Sequence, residues 1–156
     1  MSPTPTERSE TRPNLEHQVY LTVQRLAADL GHQTAELLKG SGLSPAQFNV
    51  LRILRGAGEG GLTCGEIGER LITRDSDVTR LLDRLEKQAL VTRVRSTQDR
   101  RVVLTTLTEQ GRSLVADLDE PLAALHRAQL GRLGPGKLAQ LLTLLGEAAA
   151  VSQEVG

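Results

Sequence analysis

Apolar residues recur three or four positions apart from Leu15 onward, at Val19, Val23, Leu26, Leu30, Leu37 and Leu38. That spacing lays one stripe along an α-helix, so a first helix is expected over residues 14–39. Gly40, Ser41 and Gly42 stop it. Ser44-Pro45-Ala46-Gln47 then opens a second helix. The hydroxyl accepts from the third helical amide, proline already holds a helical φ, and the glutamine reaches back to the cap. This helix carries Phe48, Val50, Leu51 and Leu54 and is expected to end at Gly56. A glycine-rich loop follows, and Thr63-Cys64-Gly65-Glu66 forms a second expected capping box before a short helix with Ile67 and Leu71 inward. After a turn at Ile72 and Thr73, a third helix of this group runs to about residue 89, burying Val78, Leu81, Leu82 and Leu85.

The period then falls from 3.6 to 2. Two β-branched stretches, residues 90–95 and 102–107, flank the polar tip Ser96-Thr97-Gln98-Asp99-Arg100-Arg101, which predicts a hairpin. Two short helices across a tight turn, the second rich in arginine, are the helix-turn-helix pattern, and a hairpin behind them is a wing. Thr108 caps a further helix with Leu114, Leu118, Leu122 and Leu125. Gly134-Pro135-Gly136 is expected to break the chain before a last helix over 137–153. The expected fold class is therefore mostly α with a small β-wing. Residues 1–13, dominated by Pro, Thr, Glu, Ser and Arg, form an expected disordered arm. A helix over 14–42, a winged domain over 43–107 and helices over 108–156 complete the organisation.

One tyrosine, one phenylalanine and no tryptophan leave a core of Leu, Val, Ile and Ala. Little remains for stacking on bases, which argues against single-stranded nucleic acid as a partner. The single cysteine, Cys64, excludes an internal disulfide framework and suits a reducing compartment. No run of eighteen apolar residues exists, and the first residues lack a secretory h-region, so a cytoplasmic protein without membrane partners is expected. Nineteen basic residues balance nineteen acidic ones. The balance is uneven along the chain: residues 74–101 hold eight basic against five acidic side chains, a surplus of three. Such a surplus is modest alone, and its place on the expected helix-turn-helix and wing is what makes it informative.

The segment from Leu71 to Gly111 resembles the MarR (multiple antibiotic resistance regulator) family of winged helix-turn-helix regulators. The family's V-T-R-L-x-D-R-L-E stretch stands here as Val78-Thr79-Arg80-Leu81-Leu82-Asp83-Arg84-Leu85-Glu86. L-V-x-R appears as Leu90-Val91-Thr92-Arg93, the wing's D-x-R as Asp99-Arg100-Arg101, and L-T-E-x-G as Leu107-Thr108-Glu109-Gln110-Gly111. The resemblance implies a homodimer held by its N- and C-terminal helices, binding double-stranded DNA at an inverted repeat. It also implies a repressor released by a small anionic or phenolic ligand held between the dimerisation helices and the winged domain. In relatives the position of Ala89 is commonly glycine, and those of Gly65 and Gly68 usually alanine.

On the recognition helix, Asp75, Ser76, Asp77, Thr79, Arg80 and Arg84 are the candidate DNA-facing residues. For the arginines the bland alternative is pairing with acidic neighbours at helical spacing. Arg84 is equally placed to brace the wing through Asp99, as the resemblance suggests. Carboxylates repel phosphates, so Asp75 is assigned to capping or pairing, and Asp77 is a candidate specificity residue. On the wing, Arg101 is the expected minor-groove residue, Arg93, Arg95 and Arg100 are assigned to phosphates, and Asp99 belongs to the same motif. His17, Tyr20, Arg25, His32, Phe48 and Arg52 are candidates for the ligand pocket, although Tyr20 and Phe48 also suit a core and the histidines a surface or interface. Cys64, just after a helix cap, is a candidate redox switch, with a small buried residue as the alternative.

His17, His32 and His126 lie far apart and match no metal spacing. No cofactor is expected. No nucleophile elbow, phosphate loop or carboxylate pair with a neighbouring base is present, which argues against an enzyme. A winged helix that binds protein instead of DNA is the remaining alternative, and the basic surplus with its wing arginines weighs against it.

Overall fold

The computed structural model describes residues 14–73 and 77–156; the expected N-terminal arm and the candidates Asp75 and Ser76 lie outside them. Helix α1 (Leu15–Lys39) starts where the Asn14 side chain accepts from the His17 amide, 2.9 Å away. Helix α2 (Pro45–Ala57) starts on the complete Ser44/Gln47 capping box and runs one residue past the expected stop at Gly56. Thr63 caps the short α3 (Cys64–Arg70), but the reciprocal half of the box differs. The Glu66 carboxylate accepts from the Thr63 hydroxyl rather than from the cap's backbone amide. Helix α4 (Val78–Lys87) precedes strands β1 (Val91–Arg95) and β2 (Val103–Leu107), and α5 (Glu109–Leu130) follows on its Thr108 cap.

The expected break at Gly134-Pro135-Gly136 is a helix start. A single 3-10 turn, Gly131–Leu133, separates α5 from α6 (Gly134–Gln153), with Pro135 in the first turn of α6. Proline's fixed φ and missing amide are harmless there, where the amide has no intrahelical acceptor anyway.

The helices close on an aliphatic core of Leu38, Val50, Leu51, Leu54, Ile67, Leu82, Leu85, Val91 and Val115. Truncating a fully buried leucine such as Leu51 to alanine removes about 2–5 kcal/mol in such a setting. The two strands pair antiparallel from Val91 opposite Leu107 to Arg95 opposite Val103. Leu62, in the loop before α3, adds an isolated bridge to Thr105 through reciprocal amide–carbonyl bonds of 3.0 and 2.8 Å. The wing is thereby pinned at the middle of β2 to the chain that enters the helix-turn-helix.

Two helix ends share one hydrogen-bond pattern. After α1, the Leu43 amide donates to the Leu38 carbonyl and the Gly42 amide to Lys39. After α4, the Leu90 amide donates to Leu85 and the Ala89 amide to Glu86. This is the Schellman arrangement, closed each time by a buried leucine pair, and it requires a left-handed residue at the second-last position. Gly42 takes it at φ 68° and Ala89 at φ 58°.

Outside the core, the N-terminal part of α1 and most of α6 carry apolar side chains to the surface. Tyr20 was a candidate core residue and is instead 59% exposed, its ring stacked on His17 with centroids 6.4 Å apart. Val19, Val23, Leu142, Leu145 and Val151 are exposed as well.

Candidate nucleic-acid interface

Helix α4 is entered through Asp77, whose carboxylate accepts from the Arg80 amide at 3.2 Å. An N-cap carboxylate satisfies an otherwise unpartnered amide and favours the positive end of the helix. Of the roles open to Asp77, cap or base-reading residue, the structure shows the cap. Leu82 and Leu85 fix the helix on the core, which turns Thr79, Arg80 and Arg84 to solvent.

The wing arginines divide into two groups. Arg93 is only partly exposed. Its guanidinium meets Asp83 at 2.7 Å and both carboxylate oxygens of Glu86 at 3.1 and 3.2 Å. The Arg93 hydrogen bond holds the Glu86 carboxyl below its ordinary value. The same contacts, Glu86 first and Asp83 second, raise the affinity of Arg93 for its proton. Arg95 donates to the Arg100 carbonyl at 2.9 Å and so ties the hairpin tip together. Of these two expected phosphate contacts, Arg93 is engaged with α4 and Arg95 within the wing. The brace between wing and recognition helix, for which Arg84 and Asp99 were one alternative, runs from Arg93 to Asp83 and Glu86. Asp99 accepts from the Arg101 amide at 3.0 Å and lies 3.5 Å from its guanidinium.

Arg101 is 93% exposed at the tip. Arg80, Arg84 and Arg100 are exposed and their guanidinium groups make no ion pair among the described residues. Cys64, with a small buried residue as its alternative reading, is exposed. Its Sγ lies 3.8 Å from Oγ1 of Thr79, at the start of α4.

A groove of about 1010 Å³ opens between α1, α2 and α5. Helix α1 lines it with Ala27, Leu30, Gly31 and Thr34, spaced along one face. Of the six ligand candidates, Phe48 and Arg52 line the groove. His17, Tyr20 and Arg25 lie earlier on α1, and His32 falls off its lining face. Asn49, Arg55, Asp119 and His126 line it too and were missed. The signal for the first two was local: Arg52 and Arg55 follow Phe48 and Asn49 at three- and four-residue spacing along α2, so the four neighbour one another on the helix. Asp119 and His126 bracket Leu122 and Ala123 at helical spacing on α5, and only the packed fold brings them to α2. Among the described residues no cluster of three His, Cys, Asp or Glu side chains is placed to hold a metal, and no helix is long and apolar enough to cross a membrane.

Residues 41–102, from the end of α1 to the second wing strand's approach, match the MarR family. Over 93 residues the chain is 37% identical to the Bacillus subtilis transcriptional repressor MdtR; the match spans 60% of this chain and 59% of that protein's length. The crystal structure of a MarR transcription factor from Planctomyces limnophilus is 35% identical, covers 86% of this chain and 98% of its own, and superposes with a TM-score of 0.67. A mutant MarR from E. coli complexed with operator DNA is 25% identical, covers 87% of this chain and 99% of its own, and gives 0.76. Fold, motif register and relatives agree: this chain belongs to the MarR family and is a winged helix-turn-helix transcriptional regulator.

Proposed function

We propose that the chain acts as a homodimeric repressor that places two α4 helices in successive major grooves of an inverted repeat and leaves the DNA when a small organic anion binds. The observation that carries the DNA surface is the division among its arginines. Arg93 and Arg95 are spent on holding the wing, while Arg80, Arg84, Arg100 and Arg101 face solvent. Arg80 is assigned to a base edge, Arg101 to the minor groove, and Arg84 and Arg100 to phosphates. Asp77 holds α4 in the conformation that presents Thr79 and Arg80. That a mutant MarR from E. coli is seen complexed with operator DNA supports DNA binding by this chain.

The dimer is assigned to the exposed apolar faces of α1 and α6, which the winged domain leaves uncovered. Residues 14–42 and 108–156 then form the shared shaft and 43–107 the DNA-binding unit. Light scattering should return about twice 16.9 kDa. The groove beside that shaft is the ligand site.

The deciding experiment is a mobility shift on the DNA upstream of the protein's own reading frame, with a salt titration. Arg80→Ala should cost about 1–3 kcal/mol on the cognate site and relax base preference. Arg101→Ala should weaken binding most where the flanks are A·T-rich. If both variants fold as dimers and bind like the wild type, the interface lies elsewhere.

A second reading has one observation behind it, the exposed Cys64 thiol beside Thr79. Oxidation there would place a bulky or charged group at the start of the recognition helix. Operator release by peroxide that disappears in Cys64→Ser would favour it.

A further inference from the structure

We propose that Arg93 is a positioning residue for DNA binding that acts through charge: by occupying Asp83 and Glu86 it keeps Arg80, Arg84 and Lys87 free for phosphates and bases. The inference rests on the DNA-binding reading of α4 above and adds what keeps the basic side chains of that helix unpaired.

The exposed side of α4 is divided by sign. Spacings of three and four residues set Thr79, Asp83 and Glu86 in one stripe and Arg80, Arg84 and Lys87 in the next, about 100° further round. All six residues are exposed. Two negative charges thus run beside three positive ones along the face that carries the candidate DNA contacts.

Such a helix can satisfy its own charges and lose them to a ligand. Asp83 stands four residues before Lys87, the order that favours an ion pair within a helix, and three after Arg80. Neither pair forms among the described residues. Lys87 borders the same small recess as Asp83, Glu86 and Arg93, so its ammonium is a neighbour of both carboxylates and still pairs with neither. The acids are taken by the guanidinium from β1, at 2.7 Å for Asp83 and 3.1 and 3.2 Å for Glu86. A planar fork of donors can hold two carboxylates at once, which a compact ammonium does less well.

Arg93 itself is a poor phosphate ligand in this arrangement. Its Nε and one terminal nitrogen are both engaged, and its side chain is 26% exposed. Removing it leaves two bare carboxylates at the surface. Glu86 is ionised at neutral pH, since the Arg93 hydrogen bond holds its carboxyl below the ordinary value. Bare, the acids act twice in one direction: Asp83 draws Lys87 and Arg80 into pairs along the helix, and both acids repel the DNA backbone. Each exposed pair is weak singly, so the expected effect is a severalfold change in affinity.

The test is a double-mutant cycle read by mobility shifts on the upstream DNA and on a scrambled duplex of equal length. Its members are the wild type, Arg93→Met, the neutral pair Asp83→Asn with Glu86→Gln, and all three substitutions together. Arg93→Met should weaken binding to both duplexes about threefold or more. Neutralising the two acids should then raise affinity at least about threefold more in the Arg93→Met background than in the wild type. A direct contact from Arg93 to phosphate predicts the opposite order, because neutral partners would release that guanidinium only where it is present. Equal gains in the two backgrounds, or the larger gain in the wild type, overturn the proposal. So does a triple variant as weak as Arg93→Met, the result expected if Arg93 matters only for the angle of the wing. Circular dichroism and light scattering check each variant for fold and mass, and Arg93→Gln completes the cycle if Arg93→Met does not fold. Wild-type protein that binds neither duplex defeats the DNA surface and this proposal together. Wild-type binding that Arg80→Ala weakens, with equal gains in the cycle, defeats the role of Arg93 alone.

Discussion

Replacing Ala89 by glycine should stabilise the protein, an outcome that few single substitutions share. Ala89 sits at φ 58° in the turn that ends α4, where an L side chain crowds the following carbonyl at a cost of about 1–2 kcal/mol. Glycine adopts this conformation freely. Its looser unfolded chain offsets about 0.4–1 kcal/mol of the gain, which leaves a net stabilisation of about 1 kcal/mol. Nothing else is lost, because the bonds of this turn run through the backbone: the Ala89 amide to Glu86, the Leu90 amide to Leu85, and the Ala89 carbonyl from the Thr108 hydroxyl at 2.7 Å. Position 89 also lies beyond the last residue of α4, so no helix propensity is sacrificed. The end of α1 is an internal control. The same bonds close around Gly42, and a Cβ added there meets nothing within 4 Å. Gly42→Ala therefore isolates the backbone effect and should lose about 1 kcal/mol. Urea denaturation at one fixed protein concentration measures both, with an expected shift of about 2–4 °C in Tm as a second readout. An Ala89→Gly protein no more stable than the wild type, at unchanged m value, would show that no strain is stored at this turn.

Three further substitutions probe other parts of the molecule. Arg93→Met should lower operator affinity without dissociating the dimer, since it frees the wing from α4 while leaving Arg80 and Arg101 intact; affinity equal to wild type in a mobility shift would show that the brace does not set the wing's angle. The same variant has a pH signature: Glu86 is held below its ordinary value, so the pair stabilises above the unfolded carboxyl value of about 4.3 and loses its contribution as pH falls through the folded one. Wild type and Arg93→Met should thus differ in urea midpoint at neutral pH and converge in acid, and a gap that persists in acid would point to packing instead of charge. Gly111→Ala should destabilise by about 3 kcal/mol or more, because its Cβ would lie 2.2 Å from the Leu90 carbonyl oxygen and 3.3 Å from Leu107; a fully stable variant in thermal denaturation would mean that the junction of α4, β1 and α5 yields easily. Val19→Glu on α1 should shift the light-scattering mass toward that of one chain, and a persistent dimer would place the interface away from this face.

Local chemistry was legible in the sequence wherever a few neighbouring residues decide it. Ser44 to Gln47 specify a helix start through their own hydrogen bonds, and the alternation after Leu90 specifies strands because side chains must alternate faces. The motif register carried the arginines of α4 and the wing tip to the surface where they were expected. Gly134-Pro135-Gly136 misled because the same residues end one helix and begin another, and only the neighbouring turn decides which. The contacts of Arg93 and the capping by Asp77 were not legible for different reasons. Arg93 reaches back seven and ten residues across a turn, a distance no helical or strand period encodes, and the identity of a cap depends on the residue at which α4 begins. The groove was half legible: the polar face of α2 is a local pattern, whereas the Arg55–Asp119 pair joins residues 64 positions apart.

The scarcity of aromatic residues gives this protein a built-in optical reporter. With no tryptophan and one tyrosine, its fluorescence when excited beyond the absorption of Phe48 comes from Tyr20, on the exposed α1 face assigned to the partner subunit. The winged unit is dark in this window, while far-ultraviolet circular dichroism sees helices throughout the chain. Separation of subunits and melting of the winged core thus register in different signals from the unlabelled protein. If the two curves coincide over a tenfold change in protein concentration and move together, assembly and folding are one cooperative event. If emission changes first on dilution while ellipticity holds, the winged unit survives alone.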